Sequence, residues 1–461
     1  MNYTFIVLVT YAVIMLLGTM LMTKKENNIE KFCIGDRNIG WFMSALSIAA
    51  TWIWAPALFT STENAYTKGF AGLFWFLVPN VLCLILFIPF AKKIRAEMPD
   101  GITLSGYMYQ KYDSKPVKGA YLFQLGALSA LSTGVQLLAG SKILSMLTGI
   151  PFMAMTVIMA VIAFSYSQFS GIKASKLTDA VQMDFKLAAS IGFVVFGVKN
   201  GGGLKMLING LGGVTGDARS LFSKRGWEIF LGFGLPTMVG LISGPFGDQC
   251  FWQRAFCVRK DKIGRAFLVG ALLFGIVPLS MGILGFIGAG MGYAATDTGV
   301  INFELISTLF PAKAVIPFLF MIVSGLLSTI DSNLCAVSSL ATDIFKENTL
   351  GKTKFAMILL LTVGIAIANI PNLTVTHLFL MYGTLRAATL LPTIFTIKGV
   401  RLSPQGVVAG IFSALVIGLP IFGYGNIQGI AVYKTAGSLL TVILSGAVAL
   451  AVSRKRGVRN E

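Results

Sequence analysis

A polar stretch inside a long apolar run holds the residues of this sequence that are best suited to chemistry. The segment SGLLSTIDSNLCAVSS begins at Ser324, and spacings of i, i+3, i+4 and i+7 place four of its residues on one face of a helix. Hydroxyl and backbone oxygens on such a face can replace the water around a monovalent cation. The alternative is that the hydroxyls bond across a helix–helix interface. The four residues are Gly325, Ser328, Thr329 and Ser332.

An acidic residue in the same stretch favours the cation site. Asp331 follows Ser328 by three positions and lies on the same face. A carboxylate inside an apolar helix is costly and usually marks the path of an ion or a proton. Asp331 and Asp248 would also be the candidates for an intramembrane aspartyl protease. The sequence argues against an enzyme, because GPFGD is not the signature of such proteases and a single His excludes an HExxH zinc site.

The composition places this stretch in a membrane protein. Of the 461 residues, 55% are hydrophobic and 12% are charged, and that charged share is about half the value typical of soluble domains. Apolar runs of about 20 residues predict an all-α polytopic bundle of thirteen membrane-spanning helices. The predicted spans lie near residues 2–22, 40–67, 70–91, 118–147, 150–169, 177–198, 226–247, 263–291, 311–345, 353–370, 374–397, 403–424 and 429–453.

The net charge of +18 reflects membrane topology and not nucleic-acid binding. Most of the 37 Lys and Arg side chains fall in every second gap between apolar runs. The positive-inside rule makes that side cytoplasmic, which places the N-terminus outside and the C-terminus in the cytoplasm of a cell membrane. The five cysteines are scattered without a CxxC pair and are interpreted as packing residues. The expected partners are the lipid bilayer and a small solute, with no obligate protein partner.

Two of the predicted spans are interrupted. The second reads ALSIAATWIWAPALF, with Pro56 in its middle, and the seventh reads LGFGLPTMVGLISGPFGDQ, with Pro236 and Pro245. A simple proline kink would explain either span alone. However, these spans lead two sets of five (2–6 and 7–11), and an odd number of spans inverts the second set relative to the first. Paired interrupted helices in inverted halves indicate a secondary transporter with its site at the membrane midplane.

Four segments carry a resemblance to a known family. They are GDRNIGWFMSALSIAATWIWAP, SKLTDAVQ, GDQCFWQRAF and LLSTIDSNLCAVSSLATDIFK, and in this order the chain resembles the sodium:solute symporter family, with the urea-transporter-like branch the most similar. The resemblance covers nearly the whole chain. It implies sodium-coupled symport by alternating access through a five-plus-five inverted-repeat core. The single transporter domain over 1–461 would comprise an extra helix (1–25), two repeats (40–198 and 226–397) and two further helices (403–453).

The resemblance also implies a sodium site between the second and ninth spans. The ligands would be three backbone carbonyls and two hydroxyls, from Ala50, Ile53, Gly325, Ser328 and Thr329.

The resemblance also raises the hypothesis of a second cation site. Asp179, in KLTDAVQ, matches a family aspartate tied to sodium release or to a second sodium ion. In members that have the second site, the positions of Ser328, Asp331 and Ser332 hold serine or a similar residue. Asp331 departs from that pattern and is compatible with a second cation or with a proton as the coupling ion.

The solute is expected between the breaks of the second and seventh spans, beside the eleventh. Arg386 lies deep in the eleventh span; a buried guanidinium needs an anion or carbonyl groups, and a carboxylate suits it best. The alternative is a structural role in which Arg386 pairs with Asp331, with Asp248 or with helix ends. A urea-like solute and a small carboxylate or amino acid therefore both stay open. The predicted solute contacts are Trp52, Trp54, Ala57, Gly244 and Arg386, the tryptophans having aromatic packing as their alternative, and the predicted inner gate is Asp248 with Gln249.

Overall fold

The computed structural model describes residues 3–457, which form α-helices joined by turns and short 3-10 or π segments, with no strand in that range. The first eleven helices are α1 (Tyr3–Met22), α2 (Ile29–Ile34), α3 (Trp41–Trp52), α4 (Ala55–Leu58), α5 (Thr60–Glu97), α6 (Leu104–Tyr112), α7 (Lys115–Thr148), α8 (Phe152–Ser170), α9 (Ile172–Asn200), α10 (Gly203–Asn209) and α11 (Lys224–Ile229). The remaining eleven are α12 (Leu235–Ile242), α13 (Gln249–Cys257), α14 (Ile263–Gly290), α15 (Ile301–Leu309), α16 (Val315–Ile344), α17 (Leu350–Ala368), α18 (Val375–Ala387), α19 (Leu390–Lys398), α20 (Pro404–Ser413), α21 (Leu419–Ile427) and α22 (Ala431–Gly457).

The prediction of an all-helical multi-pass bundle is confirmed. Within the described residues, eleven helical stretches are long and apolar enough to cross a membrane. The two predicted spans missing from that count are the second and the seventh, and both are broken into pieces too short to meet it. Helix α5 joins the end of the predicted second span to the third across Gly69, where φ is +54°.

The predicted second span is divided at residues 53–54. Helix α3 ends at Trp52, and Ile53 has a non-helical ψ of 85°. Helix α4 then begins with Pro56 in its first turn. Because proline lacks an N–H, the carbonyl of Trp52 loses the partner that a continuous helix would give it.

Neighbouring backbone groups lose their helical partners as well. The N–H of Ala55 donates to the side chain of Gln136 at 2.8 Å, and the N–H of Ala57 donates to the Trp54 carbonyl at 2.9 Å. The carbonyls of Thr51 and Ile53, which an unbroken helix would pair with these two groups, are therefore released toward the interior of the bundle.

The seventh span differs from the prediction in where it breaks and ends. The sequence pattern ended this span at residue 247, whereas the chain turns at residues 243–248 and resumes as α13 (Gln249–Cys257). Asp248 caps the new helix by accepting from the N–H of Cys250 at 2.9 Å. The continuation is favoured by apolar residues that α13 buries completely, among them Phe251 and Trp252.

Two glycines let the seventh and eleventh spans touch backbone to backbone. A Cβ on Gly240 of α12 would lie 2.8 Å from the Cα of Gly383 in α18. Real side-chain carbons do not approach backbone so closely, so the separation of these two helices depends on both residues being glycine. The contact holds the broken seventh span against the helix that carries Arg386.

We predict that Gly240→Ala destabilises the protein by about 1–3 kcal/mol, because the added methyl group overpacks a backbone contact that cannot relax locally. The measurement is the Tm of the purified protein in detergent. Gly232→Ala is the matched control in the same span, since its Cβ would meet only the Ala431 side chain at 3.6 Å. An unchanged Tm for Gly240→Ala would contradict the prediction.

Candidate functional site

The break in the second span faces the polar side of α16. The hydroxyl of Thr329 donates to the carbonyl of Thr51 at 3.4 Å, and the hydroxyls of Thr51 and Ser332 are 3.0 Å apart. A Cβ on Gly325 would lie 3.7 Å from the carbonyl oxygen of Ile53. The structure thus brings together the two segments whose oxygens the resemblance implies as sodium ligands.

Asp179 is the centre of a polar cluster beside these segments. One carboxylate oxygen accepts from the hydroxyl of Ser328 at 2.7 Å. The other accepts from Ser47 at 2.7 Å and from the Nη2 of Arg254 at 3.1 Å. Asp179 and Arg254 are both fully buried. Asp179 is therefore linked to the predicted sodium ligand Ser328 and is already neutralised by a guanidinium.

Arg254 is a site residue that the sequence reasoning missed. Besides Asp179, it donates from Nε to Ser47 at 3.1 Å, from Nη1 to the Cys250 carbonyl at 3.2 Å and from Nη2 to Ser332 at 2.8 Å. Its signal in the sequence was the single charge in the apolar segment QCFWQRAF, which reads as a loop if the seventh span ends at residue 247.

Asp331 lies in the same cluster with a different set of partners. It accepts from Ser175 at 2.7 Å, from Thr178 at 3.3 Å and from Ser332 at 3.5 Å. The first two donors belong to α9, so the carboxylate connects the ninth predicted span to the sixth. Asp331 is fully buried and hydroxyl groups surround it.

A second missed residue is Lys186, whose Nζ donates to the carbonyl of Ala50 at 3.4 Å. Ala50 is one of the implied sodium ligands, and Lys186 is fully buried. The sequence did hold a signal, because Lys186 follows Asp179 by seven positions on α9, and that spacing puts both side chains on one helical face. A lysine in the middle of a membrane span is itself a functional hypothesis.

Arg386 of α18 contacts both broken spans, since it pairs with Asp248 and stands over the Trp52 ring. Its Nη2 is 3.2 Å from the Asp248 carboxylate, which also accepts from the hydroxyl of Tyr382 at 2.7 Å. The guanidinium stands over the rings of Trp52, Trp54 and Tyr382 at 4.8, 5.7 and 3.7 Å. Of the two aspartates considered as structural partners of Arg386, Asp248 is the one in contact.

The rings of Trp52, Trp54 and Tyr382 form an aromatic cage around the Arg386 guanidinium. Several hydrogen-bond donors in this cage have no protein partner. Among the described residues, the Nε and Nη1 of Arg386 and the indole N–H of Trp54 are buried without a hydrogen bond. A Cβ on Gly244 would lie 3.0 Å from that Nη1 and 2.6 Å from the Trp52 ring, so only glycine fits beside the guanidinium. Ala57, the remaining predicted solute contact, is buried in α4. Its carbonyl accepts from the Ser61 hydroxyl at 2.8 Å.

Gln249 links the start of α13 to neighbouring helices. Its amide nitrogen donates to the Ile102 carbonyl at 2.9 Å and to the Ser339 hydroxyl at 3.0 Å. Its amide oxygen accepts from the N–H of Leu104 at 3.1 Å. The side chain therefore joins α13 to α16 and to the chain just before α6, on the side predicted to be cytoplasmic.

On the opposite side of the cage, a cavity of about 350 Å³ opens between the ends of several helices. It is lined by Phe59, Glu63, Lys142, Asp297, Thr376 and His377, among others. Lys142 pairs with Asp297 at 2.6 Å. Burial by itself would raise the pKa of Asp297, but hydrogen bonds from Lys142 and from the N–H of Gly299 outweigh it, and the pKa lies below its usual value.

The protease alternative finds no support in the contacts of its two aspartates. Asp248 pairs with Arg386 and Tyr382, whereas Asp331 accepts from three hydroxyls of other residues. A catalytic dyad requires two carboxylates that share one proton, and these two have separate partners.

Comparison with known protein families distinguishes a transporter from the protease that the sequence analysis also considered. The sequence pattern of the sodium:solute symporter family matches residues 32–414. The chain belongs to the sodium:solute symporter family. The resemblance stated from the sequence is confirmed, and membership places the chain among transporters of solutes.

Two relatives of this chain are named for urea, and one of them is also named for the proton. The chain is 25% identical to a urea active transporter from Saccharomyces cerevisiae (strain ATCC 204508 / S288c), over 73% of this chain and 49% of the relative. It is 22% identical to a urea-proton symporter from Oryza sativa subsp. japonica, over 94% of this chain and 67% of the relative. The chain therefore spans about half the length of the first of these relatives.

A solved structure confirms the fold of the symporter. A Na+-coupled sialic acid symporter in a substrate-bound, outward-open state superposes with a TM-score of 0.75, at 18% identity, over 97% of this chain and 98% of that one. The helical inverted-repeat transporter fold predicted from the interrupted spans is confirmed by this likeness.

We predict that Arg254→Met destabilises the symporter by about 3–5 kcal/mol, because the change leaves the buried carboxylate of Asp179 without its positive partner. Arg259→Met is the control two residues beyond the same helix. Its side chain is half-exposed and pairs with the equally exposed Asp261 at 2.7 Å, so we expect no measurable change. Tm values in detergent compare the two variants, and equal shifts would refute the difference in burial as the cause.

Proposed function

We propose that this symporter takes up a small solute bearing a carbonyl or carboxylate group, in symport with a cation and by alternating access. The observation that carries the proposal is Arg386, which is held by Asp248 through one nitrogen while two others face the cage without a partner. A buried guanidinium with free N–H groups is suited to bind an oxygen of a solute.

The chemistry of the cage limits the class of solute. Its unpaired groups are donors, from Arg386 and Trp54, and they call for acceptor oxygens. Flat aromatic faces from Trp52 and Tyr382 and the bare backbone at Gly244 favour a small molecule. Urea and small carboxylates or amino acids meet these requirements, and the urea relatives support the first.

Alternating access gives roles to the two sides of the cage. The 350 Å³ cavity, which Phe59 helps to line, is the proposed entry from outside. Asp248 and Gln249 form the proposed inner gate, because their hydrogen bonds join α13 to α16, α18 and the start of α6. In this proposal the protein lies in the cell membrane with its N-terminus outside and its C-terminus in the cytoplasm.

Two coupling ions remain candidates. Sodium would use the carbonyls of Ala50, Ile53 and Gly325 with the hydroxyls of Ser328 and Thr329, and the family supports it. A second cation, or the release path of the first, would involve Asp179, Asp331 and Ser332. The proton is the other candidate; it is supported by the urea-proton relative and by the ammonium of Lys186 at the Ala50 carbonyl.

The proposal is tested by uptake into liposomes that contain the purified protein. Radiolabelled urea, small carboxylates and amino acids are offered under an inward sodium gradient at fixed pH, and then under a pH gradient without sodium. Accumulation of at least one solute above protein-free liposomes is expected. Failure to move any of these solutes under either gradient would refute the proposed solute class.

We predict that Arg386→Gln lowers uptake of the transported solute by about tenfold to a hundredfold, the equivalent of about one hydrogen bond to a charged group. Arg386→Lys keeps the charge but not the forked geometry, so we expect an intermediate loss. Arg401→Gln, in an exposed turn, is the control and should transport normally. Tm values check that Asp248 without its partner has not unfolded the protein, and normal uptake by a folded Arg386→Gln would remove this residue from the solute site.

A further inference from the structure

The ammonium of Lys186 contacts a backbone carbonyl that the family resemblance implies as a sodium ligand. Its Nζ is 3.4 Å from the Ala50 carbonyl oxygen, and this is the closest hydrogen-bond partner that the described residues give it. The carbonyl belongs to the last turn of α3, next to the break at residues 53–54. Lys186 is buried, so it cannot reach water at the membrane surface as long basic side chains near helix ends do.

The ammonium of Lys186 belongs to a cluster of buried charged side chains. Two buried carboxylates, Asp179 and Asp331, interact electrostatically with Lys186, and Arg254 pairs directly with Asp179. A second buried lysine of α9, Lys176, also interacts with Asp179, but only Lys186 reaches the Ala50 carbonyl. Without Lys186 the acidic residues beside the break would lose the positive charge at that carbonyl, which favours the entry of a free cation there.

We propose that the ammonium of Lys186 is a built-in cation that takes the place of sodium at the break of the second span, so that the symporter binds and moves its solute without sodium. This inference rests on the proposed transport function and specifies its cation site.

The ammonium of Lys186 and a sodium ion would compete for the same position. Both would use the carbonyl oxygen of Ala50, and two positive charges within a few ångströms of each other in a low-dielectric interior repel strongly. The other oxygens around the break stay in place, since Thr329 reaches the Thr51 carbonyl and Ser328 reaches Asp179. Removing the ammonium should therefore expose a set of oxygens close to two buried acidic residues, Asp179 and Asp331.

The first experiment uses sodium alone as the probe, so it needs no knowledge of the solute. The Tm of the purified protein is measured in sodium chloride and in choline chloride of equal ionic strength. A ligand that binds only the folded state raises Tm with its concentration. For the unmodified chain we expect equal Tm values in the two salts, whereas Lys186→Met should gain a sodium-dependent rise of several degrees.

Two further variants identify the cause of that rise. Lys186→Met combined with Ser328→Ala removes a hydroxyl from the exposed set and should lose most of the sodium effect. Lys176→Met is the matched control, because Lys176 is another buried lysine on α9 that interacts with Asp179, but its Nζ has no hydrogen bond among the described residues and so does not occupy the Ala50 carbonyl. We expect Lys176→Met to show equal Tm values in the two salts, as the unmodified chain does.

Several results would overturn the inference. One is a sodium-specific rise in Tm for the unmodified chain, and another is sodium-dependent uptake by that chain. A folded Lys186→Met with no response to sodium would also overturn it. If Lys186→Met does not fold, binding of radioactive sodium to the unmodified chain decides, with none expected. A failed solute screen would refute the proposed function alone, because the sodium measurements do not depend on any solute.

Discussion

The broken second span depends on one constraint, which is that a backbone carbonyl inside a membrane must find a partner within the protein. Pro56 and the break at residues 53–54 release the carbonyls of Thr51, Trp52 and Ile53 at membrane depth. Side chains of the surrounding helices bond to the freed backbone groups. Gln136 accepts from the N–H of Ala55, and Thr329 donates to the carbonyl of Thr51. The polar face of α16 is therefore the counterpart of the break, which explains why so apolar a helix carries hydroxyl groups.

The charged cluster extends this arrangement to the side predicted to be cytoplasmic. One guanidinium, Arg254 of α13, contacts Asp179 of α9, Ser47 of α3 and Ser332 of α16. A buried ion pair depends on close geometry and full hydrogen bonding. Separating helices joined in this way would expose both charges, so the inward-opening step of the proposed alternating access would have to break this cluster together with the contacts of Gln249.

Local patterns in the sequence predicted the parts of the site that lie within one helix. Pro56 marked the break, and the spacing around Ser328 marked the polar face. Pairings between distant helices were out of reach, because Lys186 meets Ala50 across 136 positions and only the packed bundle brings them together. Arg254 was lost for a different reason: the glycines and prolines of the seventh span indicated where the helix stops, but not that it starts again.

The position of Lys186 has a consequence for the energy available to the transporter. A sodium ion that enters with a solute gains about 2.3 kcal/mol from each 100 mV of membrane voltage. An ammonium bonded to the chain returns with it at the end of every cycle, so over a full turn it takes nothing from the voltage. A carrier with its cation fixed in this way moves a neutral solute without net current, unless another ion travels along.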